Sequence, residues 1–381
     1  MFFINIKLVK IIMKFKKEIL LSVFSIFTFI LFFEIGLRIT GFDYHHTYIG
    51  FNISDNDKIF DLSGGYYATR KQQEDIFTYQ KFLVNKPKNE FRIFILGGSS
   101  VRNLHFFSDL NYLKDKLEKS IGNKQVRIIT IGADGYGTNR LLLHLPEVLG
   151  YEPDLIIVYS GHNEFWETFI MKNFTDTPLS RLNNKLIEVS KLYQLESVAI
   201  NKIIKFTLDQ REKKQHPLFS SYPKIDLDLE FNKTNVYRNY ENNIIKMIKL
   251  AKEKNVDVII STVAYNRMIP PFKPADSYYN FCDSLFKQKK FDEALVCFDQ
   301  ALDSDLQPHR ASKTSNEIIK NISKTYKIPL ADVDQKIVKS SKYNIPGLDL
   351  FYDTTHLNYD GNKILLDVFY GAITDNGLLS Q

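Results

Sequence analysis

Cysteine is scarce in this chain: only Cys282 and Cys297 occur among its 381 residues. A small scaffold held together by a framework of disulfides is therefore excluded. Both cysteines lie within one predicted helical region, so we expect two packing residues rather than a bridge.

A basic surface is also missing. The formal net charge is +6, but five lysines and one glutamate within residues 1–18 account for most of it. The remainder is close to neutral and has no stripe of Lys and Arg, which excludes nucleic acid as a partner. Hydrophobic residues make up 44% and charged residues 25% of the chain. This ordinary globular mixture excludes a disordered or fibrous protein.

A long apolar run stands near the N-terminus. No charged residue interrupts Ile19–Phe33, and a helix extended to Ile39 is long enough to cross a bilayer core of about 30 Å. Neither a small-residue cleavage site nor a cysteine for lipid attachment follows the run. The pattern therefore favours an uncleaved anchor over a cleaved signal peptide or a buried helix of a soluble protein. Met13 is an alternative start that keeps the anchor.

The lysines before the run predict that the N-terminus is cytoplasmic and that the rest of the chain is periplasmic or extracellular. We therefore predict a basic cytoplasmic segment at 1–17, a single-pass transmembrane anchor at 18–40, and a lead-in with little regular structure at 41–90. The cytoplasmic membrane is thus an expected partner of the chain.

From residue 91 onward, short apolar runs alternate with segments of helical period. The predicted strands are 91–98, 125–133, 153–161, 256–265 and 328–334. The predicted helices are 106–121, 139–149, 237–254, 312–326 and one that begins near 360. Such alternation predicts an α/β domain over 91–375, with a five-stranded parallel sheet covered by helices on both faces.

Two predicted helical insertions interrupt this alternation. Residues 165–235 read as helical and then loop-like, whereas 275–303 have apolar residues at the spacing of one tetratricopeptide helix pair. An ordinary amphipathic hairpin would show a similar pattern. A single helix pair cannot bury its apolar face alone, so we expect this hairpin to pack on the main domain.

Residues capable of acyl chemistry follow the predicted strands. Gly98 and Ser99 follow the first strand, Gly135 the second and Asn163 the third, and Asp353 and His356 precede the last helix. In parallel sheets, ligands bind beyond the carboxyl ends of the strands, so these side chains are expected along one edge. Ser99 is then a candidate nucleophile, His356 its base and Asp353 the group that orients the imidazole. The amides of Ser99, Gly135 and Asn163 are candidate donors to an oxyanion.

Each motif also has a simpler reading. The Gly-Gly-Ser-Ser turn could bind phosphate at the following helix, although the Gly-Lys-Ser of a P-loop is missing. The Asp-x-x-His motif could be a helix cap, and His105 and His162 are expected to be structural. The chain lacks the further clustered ligands of a metal site, so no metal or other cofactor is predicted.

The ordered set of Ser99, Gly135, Asn163, Asp353 and His356 resembles the four blocks of the SGNH (GDSL-type) hydrolase superfamily. The resemblance covers about 91–160 and 236–375. It implies a flavodoxin-like, three-layer αβα sandwich and the activities of esterases, lipases, thioesterases, carbohydrate deacetylases or O-acetyltransferases. It also assigns the nucleophile to Ser99, the oxyanion glycine and asparagine to Gly135 and Asn163, and the final block to Asp353 and His356.

Three residues depart from the family pattern. Gly98 replaces the usual Asp, Asn103 stands where Gly often follows, and Glu164 replaces the Asp that often follows the asparagine. These departures bear on subfamily and substrate rather than on the chemistry. The anchor and the embedded hairpin resemble a membrane-anchored bacterial subgroup.

The sequence thus predicts a membrane-anchored serine hydrolase that acts on an acyl ester through an acyl-enzyme at Ser99. One alternative is O-acyl transfer to or from a surface polysaccharide, with an acylated glycan as substrate. A second is an inactive scaffold of the same fold that binds a partner through the hairpin. The sequence leaves the acyl chain, the alcohol and the oligomeric state open.

Overall fold

The structure is a computed structural model that describes residues 2–40, 47–48, 51–52, 58–122, 124–170, 186, 190–193, 195–196, 232–274 and 278–379. It divides the chain into two compact units, one formed by 1–52 with 177–220 and the other by 53–176 with 221–381. Most of the predicted insertion 165–235 lies outside the described residues.

The first unit is dominated by helix α1, Phe2–Ile39. Its segment Lys17–Ile39 has a mean hydropathy of 2.3 over 23 residues, and by length and composition it is able to cross a membrane. Near its end, Glu34 forms an ion pair with Arg38 one turn later, at 2.7 Å. Two short antiparallel strands, β1 (Thr47–Tyr48) and β2 (Phe51–Asn52), also belong to this unit.

The second unit begins with a three-stranded antiparallel sheet, so the prediction of little regular structure in the lead-in is wrong. Its strands are β3 (Phe60–Ser63), β4 (Tyr66–Thr69) and β5 (Lys81–Leu83). The two-residue turn Gly64-Gly65 has φ of +56° and +82°, the backbone that a tight hairpin requires and glycine permits. Rings from two of these strands pack against the main domain, with Phe60 5.6 Å from Tyr151 and Phe82 5.8 Å from Phe94.

The remaining elements alternate as the sequence pattern predicts. In chain order they are β6 (Glu90–Gly97), α2 (Ser99–Arg102), α3 (Leu104–Phe107), α4 (Leu110–Ile121), β7 (Gln125–Gly132), α5 (Thr138–Leu149), β8 (Leu155–Tyr159), α6 (Glu164–Ile170), α7 (Lys233–Glu253), β9 (Asp257–Ser261), α8 (Tyr278–Lys287), α9 (Phe291–Asp303), α10 (Lys313–Tyr326), β10 (Leu330–Ala331), α11 (Val333–Ser340) and α12 (Tyr359–Asp375). The main departures are the division of the predicted helix 106–121 and the shortening of the last strand.

Strands β6–β10 form a parallel sheet of five strands in the order β7-β6-β8-β9-β10. This is the flavodoxin-like order, and it confirms the predicted α/β fold. Alternate residues of the central strand β6 face opposite layers. Ile93 and Ile95 join the core that α4, α11 and α12 cover, whereas Phe94 and Leu96 are buried on the other face, where α5, α7 and α10 pack side by side.

Helices α8 and α9 form an antiparallel hairpin whose inner residues pack on Ile345 of the main domain. The similarity of this hairpin to a tetratricopeptide helix pair stays a prediction. Cys282 and Cys297 form a disulfide with their Cα atoms 5.3 Å apart, so the prediction of two unbridged packing residues is wrong. The hairpin brings facing positions of two helices within the Cα range that a disulfide requires, which residue spacing alone does not reveal.

Candidate active site

A strand-turn-helix connection places Ser99 at the carboxyl edge of the sheet. Strand β6 ends at Gly97, Gly98 caps α2, and Ser99 is the first residue of that helix. A Cβ atom at Gly97 would lie 2.3 Å from the carbonyl oxygen of Tyr159 on the neighbouring strand. Only glycine leaves room here for the neighbouring strand and for Val101 of α2, and Ser99 follows directly at the strand end.

Ser99, His356 and Asp353 form a chain of hydrogen bonds. The Ser99 Oγ lies 2.7 Å from the His356 Nε2, although the two residues are 257 positions apart. The His356 Nδ1 lies 2.7 Å from the Asp353 Oδ2. A hydroxyl, an imidazole and a carboxylate in this arrangement are able to transfer the hydroxyl proton to the imidazole while the carboxylate orients the ring.

The Asp353 carboxylate is held by its own loop. Its Oδ1 accepts the backbone N–H groups of Thr355 and His356, each at 2.8 Å. Burial by itself would raise the pKa of Asp353, but the hydrogen bonds from His356 and these two amides hold it below its ordinary value. Asp353 is therefore an anion over the whole range in which an esterase is assayed.

Asn266 supports this loop and was not found by sequence reasoning. Its side-chain amide donates to the carbonyl of Asp353 at 3.0 Å, and its backbone N–H donates to the carbonyl of Thr354 at 3.1 Å. Asn266 follows β9 in the chain, and nothing in its sequence neighbourhood indicates a contact with a loop 87 positions away.

Gly135 and Asn163 follow β7 and β8, the two strands that flank β6 in the sheet. The Asn163 Nδ2 donates to the carbonyl of Tyr136 at 2.9 Å, and a Cβ at Gly98 would lie 2.5 Å from that same nitrogen. Gly135 has φ of +69°, a backbone conformation that favours glycine. The structure thus places all five predicted site residues at the carboxyl edge of one sheet.

Two buried glutamates also contact this region. Glu164 and Glu167 of α6 accept hydrogen bonds from the backbone of residues 137–140 at the start of α5. Sequence reasoning identified Glu164 only as a departure from the pattern of the family that the chain resembles, and it did not identify Glu167. The spacing of two acids one helical turn apart, directly after Asn163, is the signal that could have found them.

The two histidines considered as ligands have structural partners. The His162 Nδ1 accepts the backbone N–H of Ala311 at 3.0 Å, and burial, followed by the charge of His356, lowers the pKa of His162 to about 3. The His105 Nε2 lies 2.6 Å from the Thr130 Oγ1. Within the described ranges, no group of three or more His, Cys, Asp or Glu residues is arranged to hold a metal ion.

A profile of the GDSL-like lipase/acylhydrolase family matches residues 95–364. Similar solved structures include a GDSL-like lipase from Bacteroides thetaiotaomicron, 16% identical with a TM-score of 0.41, covering 77% of this chain and 93% of that one. Another is an acetylxylan esterase from Geobacillus stearothermophilus, 13% identical with a TM-score of 0.39, covering 75% of this chain and 96% of that one. No curated protein matches the chain in sequence.

Proposed function

Because this chain belongs to the GDSL-like lipase/acylhydrolase family and is a hydrolase of ester bonds, we propose that it cleaves an acyl ester through an acyl-enzyme at Ser99. The observation that carries this proposal is the pair of 2.7 Å contacts that joins the Ser99 hydroxyl to His356 and His356 to Asp353. A serine hydroxyl is a weak nucleophile at neutral pH, and an adjacent base of this kind activates it.

In the proposed first step, the Ser99 Oγ attacks the carbonyl carbon of the ester while the His356 Nε2 takes the hydroxyl proton. The tetrahedral intermediate collapses when its C–O bond to the alcohol breaks and His356 returns the proton to the departing oxygen. In the second step, His356 takes a proton from a water molecule whose oxygen attacks the acyl carbon. The new tetrahedral intermediate collapses when its bond to the Ser99 Oγ breaks and His356 returns the proton to that oxygen, which releases the acid and the free Ser99 hydroxyl. Asp353 stabilises the imidazolium that forms in both steps.

The negative oxygen of each tetrahedral intermediate needs preorganised donors. We assign this role to the backbone N–H groups of Ser99 and Gly135 and to the side-chain amide of Asn163. The Asn163 amide has two N–H bonds. One of them is used by the carbonyl of Tyr136, so the other is left to donate to the oxyanion.

We further propose that α1 anchors the chain in the cytoplasmic membrane, with residues 1–17 in the cytoplasm and the hydrolase domain, 91–375, on the opposite side. The apolar segment of α1 supports the anchor. The disulfide between Cys282 and Cys297 supports the location of the domain, because disulfides persist mainly in oxidising compartments.

The same acyl-enzyme would serve acyl transfer if a glycan hydroxyl replaced water in the second step. Hydrolysis is the proposal, because the family match describes lipases and acylhydrolases. Supplying a labelled acyl donor with and without glycan compares the two directly, and transfer in excess of hydrolysis would replace our assignment by O-acyl transfer.

The test of the proposal uses the full chain purified in detergent micelles. We expect a fluorophosphonate probe to label the wild type at Ser99 and to leave Ser99→Ala unlabelled, because the probe reacts with an activated serine. We also expect hydrolysis of at least one member of a series of acetyl to long-chain esters. A folded protein that neither reacts with the probe nor cleaves any of these esters would be the inactive scaffold.

A further inference from the structure

The start of α5 is enclosed by carboxylates from another helix. The loop between β7 and α5 contains Gly135, and the first backbone N–H groups of a helix have no partner inside that helix. Here Glu164 and Glu167 of the short helix α6 accept them. Their side chains are almost fully buried, with 3% and 0% of the residue surface exposed.

Among the residues that the structure describes, Glu167 accepts hydrogen bonds from N–H groups alone. Its Oε1 lies 3.0 Å from the Gly137 nitrogen and 2.7 Å from the Arg140 Nε, and its Oε2 lies 2.9 Å from the Asn139 nitrogen. All of these groups donate and none is able to accept a proton from the acid. The contacts therefore require Glu167 to be the ionised carboxylate, paired with the Arg140 guanidinium.

Glu164 has a different set of partners. It accepts the Thr138 N–H at 3.1 Å, and it contacts two hydroxyls, the Thr138 Oγ1 at 2.6 Å and the Ser160 Oγ at 3.1 Å. A hydroxyl either donates or accepts, so these contacts suit a protonated Glu164 as well as an ionised one. Glutamine would also fit here.

Both glutamates are connected to the proposed oxyanion donors. Asn163 directly precedes Glu164 in the chain and holds the carbonyl of Tyr136. Arg140, which pairs with Glu167, also donates to the carbonyl of Gly135. One short segment, 163–167, therefore contacts the whole turn from Gly135 to Arg140.

We infer that Glu164 and Glu167 are positioning residues that hold the Gly135 turn and the Asn163 amide at the spacing that an oxyanion requires. The inference rests on the proposed function, since it assumes that Gly135 and Asn163 are oxyanion donors. Neither glutamate is assigned a contact with substrate; both act through the turn that they hold.

The charge of Glu167 acts on the ionisation of Glu164. Burial and then the negative charge of Glu167 raise the pKa of Glu164 to about 8, against the opposing hydrogen bonds of Thr138 and Ser160. Tyr240 of α7 also interacts electrostatically with Glu164. Burial raises the pKa of the Tyr240 phenol well above its ordinary value, so that this group stays neutral.

The consequence is an alkaline limit to activity. Below about pH 8 most Glu164 side chains hold a proton. Above it, two buried carboxylates face each other one turn apart, and their repulsion loosens the Gly135 turn. Folding raises the pKa of Glu164 from 4.5, so the folded chain binds more protons than the unfolded chain in this interval. The stability that Glu164 contributes therefore falls as pH rises from about 4.5 to about 8.

The decisive experiment compares Glu167→Gln, Glu164→Gln and Glu164→Ala in the full chain, with ester hydrolysis and thermal unfolding measured from pH 6 to 10. Glu167→Gln directs an amide N–H₂ group at N–H donors, so we expect kcat to fall by about tenfold to hundredfold with KM unchanged, approaching the loss of one oxyanion donor. Glu164→Ala should also lower kcat. Glu164→Gln should recover most of that loss and should keep its activity above pH 8, where the wild type declines.

Glu147→Gln is the matched control. Glu147 is another glutamate whose side chain is largely enclosed and accepts backbone N–H groups, those of Ile59 and Phe60 at 2.9 and 3.2 Å, but it contacts the lead-in sheet. It should lose stability and keep the wild-type kcat and pH profile below its unfolding temperature.

The outcomes distinguish a failure of the proposed function from a failure of the positioning inference. If Ser99→Ala and Asn163→Ala both retain full activity, the proposed function has failed. If those two variants are impaired but Glu167→Gln, folded, keeps its kcat, the positioning inference is wrong. Should Glu167→Gln not fold, the pH profiles decide: an alkaline decline of the same midpoint in the wild type and in Glu164→Gln would overturn the inference.

Discussion

The two ends of helix α5 are held by the same kind of interaction but support different parts of the molecule. At its start, Glu164 and Glu167 accept backbone N–H groups of the turn that carries Gly135. Near its end, Glu147 accepts the N–H groups of Ile59 and Phe60, where the lead-in sheet begins. The side chains of all three acids are largely enclosed, so the difference lies in the function of the backbone segment that each one contacts.

The position of each end relative to the sheet explains the difference. The start of α5 follows β7 and lies at the carboxyl edge, where Ser99 and Asn163 also lie. Its end leads back to the amino edge of the sheet. There the Arg92 guanidinium donates hydrogen bonds to the Glu90 carboxylate at 2.6 Å and to the carbonyl oxygen of Tyr151 at 2.7 Å. In open α/β sheets the carboxyl edge binds ligands. Changes at that edge should therefore alter catalysis, and changes at the amino edge should alter stability.

The largest expected effect lies at the carboxyl edge. Ser99→Ala and His356→Ala should each lower kcat by about 10⁴- to 10⁶-fold, and the double variant should be no worse than either, because the residues act as one unit. Thermal unfolding should stay close to that of the wild type. Additive losses in steady-state hydrolysis would show that the two side chains act independently.

Arg92→Met tests the amino edge. The Arg92 side chain is fully buried against Glu90. Its removal leaves the buried Glu90 carboxylate with only the half-exposed Arg127, at 3.8 Å, as a charged partner, at a cost of at most about 3–5 kcal/mol in the free energy of unfolding. Denaturant unfolding measures this loss, and adding Glu90→Gln should recover part of it. The kcat of the folded variant should be unchanged; a fall in kcat at low temperature would contradict the division between the two edges.

Asn163→Ala is a second change at the carboxyl edge, and its expected effect on kcat is smaller than that of Ser99→Ala. The loss of one oxyanion donor lowers kcat by about 10²- to 10³-fold, equivalent to about 2.7–4 kcal/mol, with the fold retained. Steady-state kinetics at saturating ester, checked against thermal unfolding, measures it. A change in kcat under threefold would remove Asn163 from the mechanism.

The hairpin lies outside both edges and should show the smallest effect. The variant Cys282→Ala/Cys297→Ala opens the disulfide and should cost at most about 3 kcal/mol of stability, with kcat unchanged. Thiol titration of the untreated wild type, unfolded without reductant, should find no free thiol. Two titratable thiols would restore the original expectation of unbridged packing residues.

The sequence pattern predicted most strands and helices of the α/β domain, because a buried strand and an amphipathic helix each have a recognisable local pattern of apolar residues. The run 91–98 predicted β6 to within one residue at each end, and the start of the last helix near 360 matched α12 at Tyr359. The strands of the lead-in were not predicted because they are only three or four residues long, which is too short to show a periodic pattern of apolar residues. The turn at Gly64-Gly65 was its available signal.

The residues of the proposed site could also be selected from the sequence. Ser99, Gly135, Asn163, Asp353 and His356 each follow a strand or precede a helix in an order that resembles one superfamily. The contacts of Asn266, Glu167 and Arg140 could not be predicted from the sequence. Each contact depends on which segments of the chain lie side by side in the fold, and the residues next to these three in sequence do not indicate that.

By itself, then, the sequence determined the parallel α/β fold, the apolar N-terminal helix and the kinds of side chain that end each strand, since local period and residue type specify these. Tertiary structure alone decided the disulfide between α8 and α9, the packing of the lead-in sheet and the enclosure of the Gly135 turn by two buried acids. These depend on distances between segments far apart in the chain, and such distances are set only when the layers pack together.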